Sequence, residues 1–198
     1  MSATARPGED VVYGQVALRP LAKLSQDDWK VLYSFYRDRE IAAWSSAKPI
    51  RIPLWLFRKM SLLEEASGDR FGFGIFLRET AQLIGGAELY DLGPAGASPP
   101  RFATLGIMIG RKELWSQHYG RAAVTALLLF AFVHLDPPLE RVRLTTLQFN
   151  QRAQRAFLAA GFRVVGRDSP PRQPRLLMEC TREEWNARHP PDPSSRAL

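Results

Sequence analysis

Apolar positions along the chain follow two periods. From residue 70 to 90, RFGFGIFLR and QLIGGAELY form two strand-length blocks parted by Glu79-Thr80-Ala81, which predicts a hairpin with strands at 70–78 and 82–90. Before it, residues 15–18 read as a strand. Ser25 and Asp28 have the spacing of a capping box ahead of Trp29, Leu32, Tyr33 and Tyr36, which keep helical period. Pro53 is read as the first residue of a second helix that runs to about residue 66. After the turn-rich DLGPAGASPPR, expected to be mobile, residues 103–109 add a third strand to the meander. The second half then alternates: a helix after WSQHYG, a strand at 142–147, a helix at 151–160 stopped by Gly161, and strands at 162–166 and 176–180. Thr181 and Glu184 repeat the capping-box spacing before a short last helix. No repeat period is present, and the alternation predicts an α/β (α+β) sheet covered by helices.

Composition narrows this. With 198 residues, 45% of them hydrophobic, the chain suits one domain, expected over residues 11–187, with mobile tails at 1–10 and 188–198. The single Cys180 cannot form an internal disulfide, and His118, His134 and His189 lie too far apart for a zinc site, so no metal is expected. The longest apolar run, 122–135, is shorter than the roughly 20 residues that span a bilayer. The N-terminus has no leader-like apolar segment, so a cytoplasmic protein without membrane contact is expected. Of the net charge of +7, most lies in residues 141–198, which carry 11 Lys and Arg against 5 Asp and Glu. That bias invites an anionic partner. With 22 of the 27 basic residues being arginine, it reads as a compositional habit, and nucleic acid is not the expected partner.

The chemistry concentrates where LGIMIG leads through RKELWSQHYG into a long apolar helix. A helix N-terminus presents unpaired N–H groups and partial positive charge, so a loop wrapping into it from a strand end is a natural phosphate cradle. Downstream lies RVRLTTLQFNQRAQRAFLAAGFRVVGR. Together these pieces resemble the GNAT acetyltransferases, within them the RimJ/RimL-like branch, whose parts read "GI-x-IG", "WGKGYGTEA", an apolar helix with "AF", "RVxLxV", and "N-x-RA" followed by "GF". Residues 105–110, 115–123, 131–132, 141–144 and 150–162 match in that order. The resemblance spans roughly residues 16–185 and is most specific over 105–166. It implies a single GNAT-fold domain: a mixed, mostly antiparallel sheet, splayed near the acetyl-CoA site, with helices on both faces.

The resemblance further implies acetyl-CoA as co-substrate and an amine as acceptor. Backbone N–H groups of Gln117, His118, Tyr119, Gly120, Arg121 and Ala122 would hold the pyrophosphate, and Ile107, Met108 and Ile109 the pantetheine arm and acetyl carbonyl. Asn150 carries over as a catalytic and coenzyme A-binding position, and Phe157 as a coenzyme A-binding one. Three departures stand out. His118 replaces a glycine, although histidine tolerates positive φ. Ala122 replaces a glutamate, which leaves Arg121 as the nearest charge. Phe157 stands where many members have a tyrosine that protonates the departing thiolate, and phenylalanine has no proton to give. Glu88, on the strand beside the acetyl-binding one, is the candidate base, with Tyr90 and Asp91 as weaker options. Trp44 and Tyr90 are placed at the acceptor.

Two readings of other classes stay open: an acetyl-CoA-binding sensor or interaction protein with weak or no catalysis, motivated by Phe157 and His118, and a basic ribosome- or nucleic-acid-associated module. Monomer and homodimer are equally compatible with the sequence. Trp29, Trp55, Trp115 and Trp185 are expected to pack, the Phe-Gly alternation at 71–74 to bring backbones close, His134 to lie near a helix C-terminus, and Cys180 to be a small buried hydrophobe.

Overall fold

Strand-forming blocks along the chain assemble one eight-stranded sheet in a computed structural model that describes residues 8–45, 47–68, 70–93, 101–168 and 173–190. In chain order the elements are β1 (Val11–Tyr13), β2 (Val16–Pro20), α1 (Gln26–Arg37), α2 (Arg39–Ala43), α3 (Leu54–Ala66), β3 (Phe71–Leu77), β4 (Leu83–Gly93) and β5 (Phe102–Ile109). Then follow α4 (Tyr119–Leu129), continued by a π-helical turn at Phe130–His134, β6 (Arg141–Leu147), α5 (Gln151–Ala160), β7 (Arg163–Asp168), β8 (Arg175–Thr181) and α6 (Arg182–Arg188). The sheet order is β1-β2-β3-β4-β5-β6-β8-β7. Every neighbouring pair is antiparallel except β5 and β6. This is the mixed, mostly antiparallel sheet expected.

Each face has its own core. On one, α4 buries Ala123, Val124, Ala126, Leu127 and Leu128 against β1–β6, with α5 and α6 adding Phe157 and Trp185. On the other, Trp29 and Leu32 of α1 and Phe57 of α3 pack with Leu21, Leu24, Phe76 and Leu83. That second face is paved with glycine. Gly74 pairs with Gly86, and Gly72 and Gly106 flank Glu88 from either side. A methyl group at Gly86 would stand 3.1 Å from Leu32 Cδ1, and one at Gly74 2.8 Å from Leu83 Cδ1, so bare Cα atoms let the helices sit low. At Gly72 and Gly74 the close approach is by side chains, of Leu21, Leu83, Phe76 and Leu24, and not by the backbone expected of the Phe-Gly alternation.

Element ends follow the local chemistry. Both expected capping boxes form: Ser25 with Asp28, and Thr181 with Glu184. Helix α5 has the expected bounds, and Gly161 ends it with φ 114°, the left-handed region glycine favours. Differences also arise. Pro53 is the N-cap of α3 rather than its first residue. Strand β1 and the short helix α2 carry too few residues for a periodic signal. Asp10, assigned by sequence to a tail, bonds Arg19 Nε at 3.2 Å, and His189, assigned to the other, stacks on Trp185 with ring centroids 3.9 Å apart. Residues 94–100 of the turn-rich loop, and 1–7 and 191–198 of the tails, lie outside the described residues. Among the described residues no helix is long and apolar enough to cross a membrane.

Candidate active site

The β5–β6 pairing has three rungs, Phe102 with Arg141, Ala103 with Val142 and Thr104 with Arg143. Beyond them the strands diverge, and a cavity of about 700 Å³ opens between. Its walls include Leu105–Ile109 of β5, Thr145–Leu147 of β6, the first turn of α4, the inner face of α5, and residues of α1 and α2. Gly110 N–H donates to Ile84 O at 2.8 Å. Alternation along the antiparallel ladder therefore turns the peptide groups of Met108 towards β4 and those of Ile107 and Ile109 towards the gap. The indole of Trp115 meets this edge, with Nε1 donating to Ile109 O at 2.8 Å. Met108 points its side chain into the α1–α3 core, whereas Ile107 and Ile109 pack on the α4 side.

At the far end of β5 the chain enters α4 through two residues of positive φ, Ser116 at 65° and His118 at 67°. The departure from glycine at His118 thus falls where the backbone is left-handed, and histidine takes that conformation without a Gly there. His118 is the N-cap, and no side chain caps the helix, so its leading N–H groups have no side-chain acceptor, as at helix starts suited to anions. His118, Gly120 and Arg121 line the cavity. Gln117, Tyr119 and Ala122 direct their side chains elsewhere: Gln117 donates to Glu113 O at 2.7 Å, and Tyr119 and Ala122 pack on the core.

Across the mouth an aromatic and cationic cluster joins three segments. The Arg152 guanidinium lies 3.9 Å from the Trp115 ring centroid and 4.9 Å from that of Trp44, a cation–π contact with two indoles that themselves meet edge to face at 80°. Trp44 also packs on Phe149, centroids 5.7 Å apart. Asn150 secures the arrangement: its Oδ1 accepts from Ala153 N–H at 3.2 Å, capping α5, and its Nδ2 donates to Trp44 O at 3.1 Å. Lys112 adds a tie from the β5–α4 connection to α2 through Asp38 at 2.8 Å and Glu40 at 2.6 Å. Trp115, expected only to pack, is a wall of the cavity, and Trp55, also expected to pack, is 66% exposed. Trp29 and Trp185 pack as expected.

Glu88 stands at the opposite end, on the glycine-paved face. Its side chain lies across Gly106, where a methyl group would sit 2.7 Å from Oε1. Burial pushes the Glu88 carboxyl above the usual carboxylate range, with Arg70 pulling the other way and Glu64 and Asp91 adding to the rise. Tyr36, on α1, also lines the cavity, and burial beside Glu88 holds its hydroxyl protonated well past the ordinary tyrosine range. Tyr90 is raised for the same two reasons, burial first. Glu88 and Tyr90 also border a second cavity of about 390 Å³, with Glu64, Arg70 and Asp91. Phe157 lines the main cavity with its ring 6.0 Å from that of Phe162. Cys180 is buried on β8 with its thiol pushed up to about 12, chiefly by burial, which keeps it inert. Sequence reasoning passed over Tyr36 and Arg152: the first fits the apolar period of α1, and the second is one of many arginines.

Residues 16–163 match the acetyltransferase (GNAT) domain family. No curated protein sequence matches the chain. Among solved structures, spermidine N-acetyltransferase from Vibrio cholerae in complex with CoA and spermine superposes with a TM-score of 0.72 at 18% identity, covering 86% of this chain and 98% of that one. A putative ribosomal-protein-serine acetyltransferase from Vibrio cholerae gives 0.67 at 22% identity, over 89% and 99%. Aminoglycoside acetyltransferase AAC(6')-Ib in complex with coenzyme A gives 0.68 at 22%, over 88% and 99%. At these identities the likeness is one of fold. The family match over most of the chain is independent of it, and the splayed strands, the uncapped helix start and the buried carboxylate fall inside the matched residues: the chain belongs to the GNAT acetyltransferases.

Proposed function

We propose that the protein moves an acetyl group from acetyl-CoA to a primary amine by direct attack in a ternary complex, with a peptide or protein N-terminus as the favoured acceptor. The observation that carries this reading is the splay. It exposes the peptide groups of Ile107 and Ile109 along one wall of a cavity that has the N-terminus of α4 at one end and Glu88 at the other. The α4 turn suits the pyrophosphate, with Arg121 as the adjacent cation. Peptide groups of β5 suit the pantetheine amides and the acetyl carbonyl, whose oxygen gains negative charge during attack and is stabilised by a fixed N–H. Holding both reactants in one cavity supplies the orientation that the reaction needs.

On this reading Glu88 accepts a proton from the ammonium form of the acceptor. The freed amine nitrogen bonds to the acetyl carbon, the carbon–sulfur bond breaks, the sulfur leaves with its electron pair, and the nitrogen gives up its remaining extra proton to solvent or to the departing thiolate, leaving the amide. An α-amine of pKa about 7.7–8.0 is roughly a tenth neutral at pH 7, whereas a lysine-like amine of about 10.4 is under about 0.1% neutral, so an α-amine asks less of the base. Because the base works when deprotonated and its carboxyl is raised by burial, kcat/KM should climb with pH through a limb above the ordinary glutamate range. A profile flat from pH 4.5 upward would remove Glu88 from this role. The similar structures are a spermidine N-acetyltransferase, an aminoglycoside acetyltransferase and a putative ribosomal-protein-serine acetyltransferase, so an acceptor panel should include polyamines, aminoglycosides and peptides with a serine N-terminus.

A second reading, binding with little turnover, is favoured by Phe157, which places an apolar ring where a proton donor would be useful. The deciding experiment is calorimetric titration of acetyl-CoA, 3'-dephospho-CoA and acetylated cysteamine into the wild type and Gly120→Trp, followed by the amine panel. A Cβ at Gly120 has its nearest neighbour at 3.8 Å, Ile109 Cγ1, so the backbone tolerates a side chain that then fills the cavity. Binding lost in the variant with turnover on an amine supports the enzyme; binding without turnover supports the sensor; no binding overturns both.

A further inference from the structure

Arg70 immediately precedes β3 and is only 18% exposed in its side chain, a position that buries a permanent charge and therefore demands partners. It has two. Nη2 lies 2.6 Å from Glu88 Oε2, and Nη1 lies 2.5 Å from Glu64 Oε2 on α3. The pairing is asymmetric at Glu88. Arg70 takes Oε2, and Oε1 lies over the bare Cα of Gly106, on the strand that lines the main cavity. Gly72, the other in-register neighbour of Glu88, leaves room for the side chain of Leu21, and a methyl group there would only touch Arg70 Nε at an ordinary 3.7 Å. It is Gly106 that makes room for the carboxylate beside the guanidinium.

We propose that Arg70 is a positioning residue for acetyl transfer: anchored by Glu64, it grips one oxygen of Glu88 and presents the other, across Gly106, to the acceptor amine. This rests on Glu88 being the base. The arrangement resolves a conflict in the site. A carboxylate sunk in a cavity prefers to be neutral, and Glu64, Asp91, Tyr90 and Tyr36 around it offer no compensating positive charge. A cation fixed by two hydrogen-bonded ends favours the ionised form at neutral pH without a mobile lysine. The contact is to one oxygen, so it holds Oε2 in place and leaves Oε1 turned towards Gly106.

The test is the pH profile of kcat/KM for Arg70→Met and Arg70→Lys, beside Glu88→Gln, each checked for folding by thermal denaturation. Arg70→Met is expected to move the acid limb upward by about one pH unit or more, with acetyl-CoA affinity by calorimetry unchanged. Arg70→Lys keeps the charge but has one nitrogen for two carboxylates, so its limb should lie between those of the wild type and the methionine variant. Should Arg70→Met not fold, Arg70→Lys against the wild type decides, with an intermediate upward displacement expected. A limb left at the wild-type position in the folded variants overturns the role of Arg70. Glu88→Gln is expected to abolish the limb. If it keeps the limb, the base assignment falls, whatever Arg70 does.

Discussion

Gly106 illustrates how much a missing side chain can decide. It sits in register with Glu88, and its lack of a Cβ is what allows the carboxylate to lie flat across β5. Gly106→Ala places a methyl 2.7 Å from Oε1 and 2.8 Å from Cγ of Glu88, so the carboxylate must swing away. We expect kcat to fall by about tenfold or more, since a displacement of about 1 Å can cost on the order of 100-fold. A steady-state assay showing wild-type kcat would mean that Oε1 is not the working atom. Phe157 poses the complementary question, of a group added. Phe157→Tyr should leave acetyl-CoA affinity unchanged and raise kcat, because the new hydroxyl can protonate the departing sulfur. Unchanged turnover on a good acceptor would show that the thiolate, with a reference pKa near 8.5, leaves unaided.

At the level of elements, the site depends on segments far apart in sequence meeting at one mouth, and Asn150 is the joint. Asn150→Ala removes both its bonds and should cost about 2–4 kcal/mol by denaturant melts, the sum of about 1 kcal/mol for a lost cap and about 1–3 kcal/mol for a stranded carbonyl. Asn150→Ser keeps a capping oxygen but cannot reach Trp44 O, so it should recover the share of the cap while still raising the acceptor KM as Trp44 loosens. Equal stability losses in the two variants would deny the cap its part. This joint also marks the limit of what the sequence could reveal. Helix α5, both capping boxes, the β3–β4 hairpin and the strand leading into the His118 turn are written in local periodicity and end chemistry, and they were legible. The bond from Asn150 to Trp44 spans 106 positions, and Arg152 joins α5 to two distant indoles. No local pattern encodes such meetings. Arg70 was hidden for the same reason, because its partners lie on α3 and β4.

Over the whole molecule, α4 packs on the five-stranded part of the sheet, against β1, β2, β4 and β5, and reaches the other part through α5. Leu127 is fully buried in its middle. Leu127→Ala should cost about 2–5 kcal/mol, and the loss should be felt as one cooperative transition rather than in either half alone. Two separate transitions would show that the halves fold independently. Acetyl-CoA should slow hydrogen exchange at Ile107 and Ile109, whose amides face the gap, and leave Met108 unchanged because it is already paired with β4. Slowing at Met108 alone would invert the alternation. The basic C-terminal part is tempered in the fold, where Arg141 pairs with Glu179, and Arg163 with both Glu179 and Glu184. Among the described residues, the three rungs at Phe102–Thr104 are the only strand pairing between a five-stranded piece, β1–β5, and a three-stranded one, β6–β8. Seen mechanically, they are a short row of stitches at one end of an open seam, no longer than the edge pair β1–β2: gripped on β2–β5 and on β6–β8 and pulled apart, the protein should tear there first, and a ligand lying along the gap would serve as added thread.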